Sequence, residues 1–493
     1  MTVRIYTNQA PEQLTLMRGG NSALVKASGN PVLHVVGPWK AQIPGQDPVA
    51  LAYPLEIRTR DGSLALTLRL PLEDYVAAVL AGESAGFRSD QSMAAMAVAA
   101  RTYAVRFQGR HKAEGYDFCD TTHCQDLRIT AVSERVRQAA EQTEGELLWF
   151  QGSPAATFYA KDCGGSIEAA AMVWPDLKAA YLGQREDPYC TRKGWTSTIR
   201  KEELRSALAT RLDSLRIVER TSSGRALRLQ AGGLTVTASS LRFAVGRSLG
   251  WDRLPSDLYE VSDAGDRFVF EGRGFGHGVG LCQVGAARMG EEGRSYRQIL
   301  EFYYPGTKLG VAAQGFPWQS LGGERVIVMT TRPQQDQGVV AMADRLARAV
   351  EERSGLRWVG SVRLRIYPSV AAFRDATGEP GWVAGSTRAG VIRLQPQGVI
   401  EGTIRHELLH VLVESHARAG LPLWFREGAV LFLSGDGPTN KLKHVLQEAE
   451  ARMAYAAALD RFSRLVGRFG EGTVIGWISS GLPPAAMQAL ATK

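Results

Sequence analysis

Two sets of residues in this chain have types and spacings suited to chemistry, and they lie in opposite halves. His406-Glu407-Leu408-Leu409-His410 is an HExxH pattern. On a helix, positions i and i+4 share a face, so two imidazoles can hold one Zn²⁺ while Glu407 reaches a metal-bound water. After a turn at Gly420-Leu421-Pro422, the helix-like LWFREGAVLFL brings Glu427 back as a third ligand, leaving the fourth position to water. His416 lies off the ligand face and reads as a surface histidine. Further along, Tyr455 and His444 are the residues from which a transition-state donor would have to come.

In the first half, Glu83 ends the apolar run YVAAVLAG and precedes small residues. A carboxyl at a negative helix end, among apolar neighbours, has the raised pKa that a general acid needs. Glu73 and Asp74 fall in the first turn of the same segment, where acids simply stabilise a helix. The stretch GRGFGHGVGLCQVGAA is dense in glycine. Gly276 and Gly278 allow positive φ and a close backbone approach to a ligand, and His277 could hydrogen-bond hydroxyl or N-acetyl groups. The competing reading is a tight turn with His277 satisfied internally. Gln283 and Tyr103 are further cleft candidates. This is no nucleotide fingerprint, because no βαβ unit with a later acid surrounds it. Cys119, His123 and Cys124 could bind a second Zn²⁺, with His111 completing the set. Cys119–Cys124 and Cys163–Cys190 disulfides are equally compatible with the spacing, and Cys282 would then be left unpaired.

The elements that must position these residues read as follows. Residues 1–70 alternate as short strands between Gly, Asn and Pro turns. At Pro71 the period changes to helical for PLEDYVAAVLAGE, and SDQSMAAMAVAARTYAVRFQ continues as a second helix capped by Ser89 or Asp90. Residues 109–130 read as loop, 131–145 as helix, and LLWF and ATFYA as strands. The 200–310 region mixes short helices and strands. A linker is expected near 315–323, followed by fresh α/β alternation and the two helices that carry HELLH and REGAVLFL.

Composition bounds the class. The 493 residues need two or more cores, and 44% hydrophobic with 22% charged residues is globular, which excludes wholesale disorder. The net charge of +8 favours an acidic polymer as partner. No apolar run is long enough to span a bilayer, and the N-terminus lacks a secretory pattern. The chain therefore reads as either cytosolic or a mature form whose leader was replaced by Met1.

Read together, LEDYVAAVLAGESAGF, FCDTTHCQDL with FYAKDCGGSIEAAAMVWPDLKAAYLGQREDPYC, and GRGFGHGVGLCQVGAARMG resemble the SpoIID/LytB family over about residues 60–312. The resemblance implies lytic cleavage of peptidoglycan glycan strands, with Glu83 as the general acid/base and, in some members, zinc beside it. Ser84-Ala85 replaces the Met-Pro common in the family. RHELLHVLVESH and LPLWFREGAVLF resemble gluzincin metallopeptidases of the peptidase MA-like group over about 323–493. That resemblance makes His406, His410 and Glu427 zinc ligands and Glu407 the general base.

The expected fold class is α+β. A SpoIID-like unit at 1–315, β-rich over 1–60, should precede a zincin-like α/β unit at 323–493. The expected partners are peptidoglycan glycan strands and an amidase or other wall enzyme, not nucleic acid, and the expected place is the cell envelope. The alternatives are a non-catalytic wall-binding amidase enhancer and a wall-targeted zinc protease.

Overall fold

The computed structural model describes residues 1–491 except 19, 52, 192, 211, 313–314, 316, 359, 389, 419 and 436–448. It divides into two compact units, Met1–Gly315 and Phe316–Lys493. No helix among the described residues is long and apolar enough to cross a membrane.

The first unit opens with strands, because alternation over residues 1–70 buries one face of each. Val32–Val35, Leu55–Arg60, Ser63–Arg69, Thr2–Ile5 and Phe118–Cys119 form a five-stranded sheet in that order. Its last pairing is parallel, Val3 beside Phe118 and Arg4 beside Cys119. A second sheet joins Asn21–Lys26, Gln13–Arg18, Trp39–Gln42 and Val49–Leu51. Helix α1, Leu72–Glu83, and helix α2, Asp90–Arg106, form the centre of the core. The Ser89 hydroxyl caps α2 by accepting from Gln91 N at 3.2 Å. Alanine on nearly every face lets α2 be buried all round. One long side chain is enclosed with it: Arg101, 0% exposed, donates to both Glu73 carboxylate oxygens at 2.8 and 2.6 Å. It also donates to Ala140 O at 2.9 Å, tying α1, α2 and the helix Glu134–Gln142 together. Glu73 is thus half of a buried ion pair, a stronger role than the helix-start acid that its position suggested.

Residues 194–273 form a separate body within this unit. Two three-stranded sheets, Gly194–Arg200 with Arg267–Arg273 and Tyr259–Asp263, and Leu215–Arg220 with Ala226–Ala231 and Leu234–Thr237, enclose their own core of Ile199, Leu204, Leu229, Leu241, Phe268 and Phe270. Periodicity located the short elements but not their independence. After this body the chain returns to the main core through Leu281–Cys282 and helix α3, Gln283–Glu291.

In the second unit a five-stranded sheet runs Gln319–Gly322, Val326–Thr330, Val362–Ile366, Val391–Leu394, Gly385–Arg388. The three central strands are parallel and both edges antiparallel. Helix α4, Pro333–Ser354, and helix α5, Glu401–His416, pack with the sheet in one core. Helix α6, Leu423–Ser434, and helix α7, Ala449–Phe469, extend that core through Phe425 and Phe462, whose ring centroids are 5.1 Å apart.

Candidate functional site

In the first unit the three sequence segments converge on Glu83. The residue closes α1, half-buried, and each carboxylate oxygen has one donor: Asp126 N at 3.0 Å and Gln283 Nε2 at 2.8 Å. The loop can come this close because Gly82 precedes Glu83; a Cβ there would sit 2.2 Å from Asp126 O. Burial raises the Glu83 pKa, against the two hydrogen bonds that lower it. The carboxyl is therefore poised to hold a proton above the usual carboxylate range, with its donors fixing its direction. Asp126 was not singled out by spacing, since a backbone amide has no sequence signature.

The loop that supplies the Asp126 amide also carries the thiols. Asp117 and Asp120 anchor it to the first strand, accepting from Thr2 N at 2.7 Å and Tyr6 N at 2.6 Å. Cys124 Sγ lies 3.4 Å from His111 Nε2 and 3.8 Å from His123 Nδ1, and Cys119 Sγ lies 3.7 Å from the same His123 nitrogen. His111, Cys119, His123 and Cys124 thus present four ligand atoms within 4.8 Å of one another. His111 Nδ1 is hydrogen-bonded to Glu114 at 2.6 Å, which aims Nε2 at the cluster, as in a carboxylate–histidine–metal arrangement. None of the five cysteines forms a disulfide. Two thiols and two imidazoles fit a tetrahedral Zn²⁺ better than a disulfide, which would leave both imidazoles without a task.

The glycine loop differs from the expectation. Both ring nitrogens of His277 are engaged inside the protein, Nδ1 accepting from Val279 N at 3.0 Å and the ring hydrogen-bonding the Tyr159 backbone. The ring packs edge-on to Trp174, and burial lowers its pKa to about 3, so it is neutral. His277 therefore locks the loop instead of offering a donor to a ligand. The glycines serve the same packing. A Cβ at Gly278, φ +70°, would meet Arg225 Nη2 at 2.1 Å, and one at Gly276 would touch Ala160 Cβ at 3.3 Å. Tyr103, 5% exposed, sits among Phe107, Phe118, Phe158 and Tyr159, its hydroxyl accepting from Arg110 at 3.2 Å. It supports the wall of the site. Gln283, by contrast, touches Glu83 directly.

In the second unit a cavity of about 870 Å³ is lined by His406, Glu407, His410, Glu427, Thr387 and Tyr455 among others. Helical spacing puts His406 Nε2 and His410 Nε2 3.1 Å apart. Glu427 Oε2 lies 3.6 Å from His410 Nε2, is buried, and has no hydrogen-bond partner. An orphaned buried carboxylate oxygen beside two imidazoles suits a cation. The three ligand atoms are nonetheless not a closed trio, since among the described residues only two other groups lie wholly within 4.8 Å. Burial raises the Glu427 pKa to about 7 and that of Glu407 above its ordinary value, and holds His410 neutral at about 3. Thr387, on the antiparallel edge strand, donates to Glu407 Oε2 at 2.7 Å, a contact that no spacing announced. Tyr455 reaches the cavity from α7, its phenol raised to about 12. His444 lies outside the described residues. Gly428 brings α6 close to α7, where a Cβ would lie 2.6 Å from Ala458 O. His416 bonds back to Leu412 O at 2.9 Å, off the cavity.

Comparison with known proteins adds a lineage for the first unit. A model of the SpoIID family, stage II sporulation protein, matches residues 60–150, and a model of a domain of unknown function (DUF8618) matches 189–280, the stretch of the separate body. An uncharacterized protein of Brachyspira hyodysenteriae is 31% identical over 49% of this chain and 67% of its own length. The amidase enhancer of Bacillus subtilis is 26% identical over 47% of this chain, which spans only 39% of that relative. Stage II sporulation protein D of the same organism is 27% identical over 49% of this chain and 75% of its own. Through residues 60–150, the first unit matches the SpoIID family, and the named relatives point to the same lineage.

Proposed function

We propose that the first unit cleaves peptidoglycan glycan strands by lytic transglycosylation, with Glu83 as the sole acid/base. The observation that carries the reading is the carboxyl at the end of α1, raised by burial and held from two sides by Asp126 N and Gln283. Protonated Glu83 gives its proton to the glycosidic oxygen as the bond to C1 of N-acetylmuramic acid breaks. The resulting carboxylate then takes the proton of the 6-hydroxyl, whose oxygen closes on C1 to give a 1,6-anhydro ring. One carboxyl serves both steps, so no second catalytic acid is required. The same two donors steady the carboxylate in the interval. The thiol–imidazole cluster, holding Zn²⁺, would fix the loop that supplies Asp126 N. Digestion of purified peptidoglycan, followed by mass spectrometry for anhydro-muropeptides, tests the reading.

For the second unit we infer a zinc-dependent peptidase-like site, on the unpartnered Glu427 oxygen beside His410. His406, His410 and Glu427 would hold Zn²⁺, which supplies Lewis acidity to water and to a carbonyl. Glu407 accepts the proton of the attacking water, steadied by Thr387, and the Tyr455 phenol can donate to the developing oxyanion. Metal analysis of His410→Ala against the parent chain tests it. The relative named amidase enhancer favours a second role for the first unit, stimulation of a partner amidase without cleavage. Absence of anhydro products together with amidase stimulation would select that role. Both readings place the protein at the cell envelope.

A further inference from the structure

Three cysteines outside both sites meet in the core of the first unit. Cys163, Cys190 and Cys282 are 1%, 4% and 1% exposed, and their sulfurs lie within 4.8 Å of one another. They come from three separate segments. Cys163 follows the short strand Tyr159–Ala160, Cys190 follows Arg185–Glu186, and Cys282 ends the strand Leu281–Cys282 that runs parallel to Tyr159–Ala160. The sequence suggested a Cys163–Cys190 pair with Cys282 apart, but the fold puts all three together.

Polar groups surround the three sulfurs on every side. Cys282 is the cap of α3, and its sulfur accepts from two backbone amides, Gly285 N at 3.4 Å and Cys163 N at 3.3 Å. These donors orient the Cys282 sulfur toward the other two, although burial and the neighbouring acidic groups keep its thiol protonated until a cation displaces the proton. Two carboxylates adjoin the other sulfurs: Asp187 Oδ2 is 3.3 Å from Cys163 Sγ and Asp162 Oδ1 is 3.0 Å from Cys190 Sγ. Asp187 is fully buried and held by Cys190 N at 3.2 Å and the Tyr303 hydroxyl at 3.0 Å. The nearby Arg225 guanidinium reaches the carbonyls of Cys163 and Ser166, each at 2.7 Å. A disulfide would use two sulfurs and strand the third, with its donors, against them. A soft divalent cation uses all three and balances the acidic groups around them.

We propose that Cys163, Cys190 and Cys282 bind a Zn²⁺ ion, with Asp187 the adjoining carboxylate, as a structural clip separate from the His111–Cys124 cluster. Its place gives it a purpose. The body at 194–273 is inserted between Cys190 and Cys282, so the ion would tie both ends of the insertion to the main core. Closing so long an excursion costs chain entropy, which a metal cross-link offsets. The clip also fixes the start of α3, where Gln283 leads to Glu83.

The test uses the full chain. After chelation and denaturation without reductant, all five thiols should react with an alkylating agent. Cys163→Ser and Cys282→Ser should each lower bound zinc by one equivalent relative to the parent. Cys190→His, which keeps a ligand, should retain that equivalent, so that a loss cannot be laid to misfolding alone. With ¹¹³Cd²⁺ as probe, a three-sulfur resonance should vanish in Cys282→Ser while a two-sulfur resonance persists. A peptide linking two of these cysteines in the unreduced protein, or unchanged metal content in both serine variants, would overturn the proposal.

Discussion

The two candidate sites are built in opposite ways. In the second unit, His406, Glu407 and His410 belong to one helix and Glu427 to the next, so local spacing brings three of the four together. In the first unit, Glu83 meets a backbone amide from the thiol loop and a glutamine from α3, Gln283, 200 positions away in sequence. One site is displayed by a helix; the other exists only when the whole unit folds. A helical site therefore tolerates changes elsewhere in its fold, whereas an assembled one fails with any segment that supports it. Variants in both units sharpen that contrast, and their effects differ in size.

The largest effect is expected from Arg101→Ala. It strips the buried Glu73 carboxyl of its counter-charge and drives it further toward the protonated form, at a cost of about 3–5 kcal/mol. Thermal unfolding should show the first unit melting early while the second keeps its transition. A single shared transition would mean that the units do not fold separately.

In the second unit, His410→Ala should lose the zinc, whereas Glu407→Gln should keep it and lose peptidase activity by about 10²–10⁴-fold. Inductively coupled plasma mass spectrometry separates the two roles. Retention of full metal content by both His410→Ala and Glu427→Ala would remove the zinc reading. Thr387→Ala should be milder, about 0.5–1.5 kcal/mol for one hydrogen bond to Glu407.

The smallest effect is on the pH profile of the first unit. The acid works only when protonated, so cleavage should fall as pH rises through the raised pKa of Glu83. Gln283→Ala removes a donor that favours the carboxylate, so the pKa rises further and the falling limb moves to higher pH. A limb that stays put, or moves down, would show that the Gln283 contact is not made in the working enzyme. Stability shifts the same way: a raised carboxyl pKa makes the fold more stable at low pH, and that gain is lost as pH rises through it.

The contrast also explains what the sequence could and could not tell. Helices α1, α2, α5 and α6 were legible because their apolar residues repeat at helical spacing and their starts carry recognisable residues, such as Ser89. HExxH was legible for the same reason. Asp126 N, Thr387 and the joining of Cys282 with Cys163 and Cys190 were not, because tertiary pairing, not local pattern, sets them. His277 misled for an instructive reason. A histidine among glycines looks exposed to ligand, yet those glycines let the chain fold onto Arg225 and Ala160 and consume both ring nitrogens. The 194–273 body was hidden because short strands spaced by turns look alike whether they join one core or two.

The central claim is that one carboxyl in the first unit does the chemistry. The most direct measurement is mass spectrometry of purified peptidoglycan incubated with the parent chain and with Glu83→Gln. Gln keeps the size of the side chain and can still accept from Asp126 N, but it has no proton to give. The parent should release 1,6-anhydro-muropeptides and the variant about 10²–10⁴-fold less, with binding to the wall unchanged. Anhydro products released by Glu83→Gln at the parent rate would contradict the central claim.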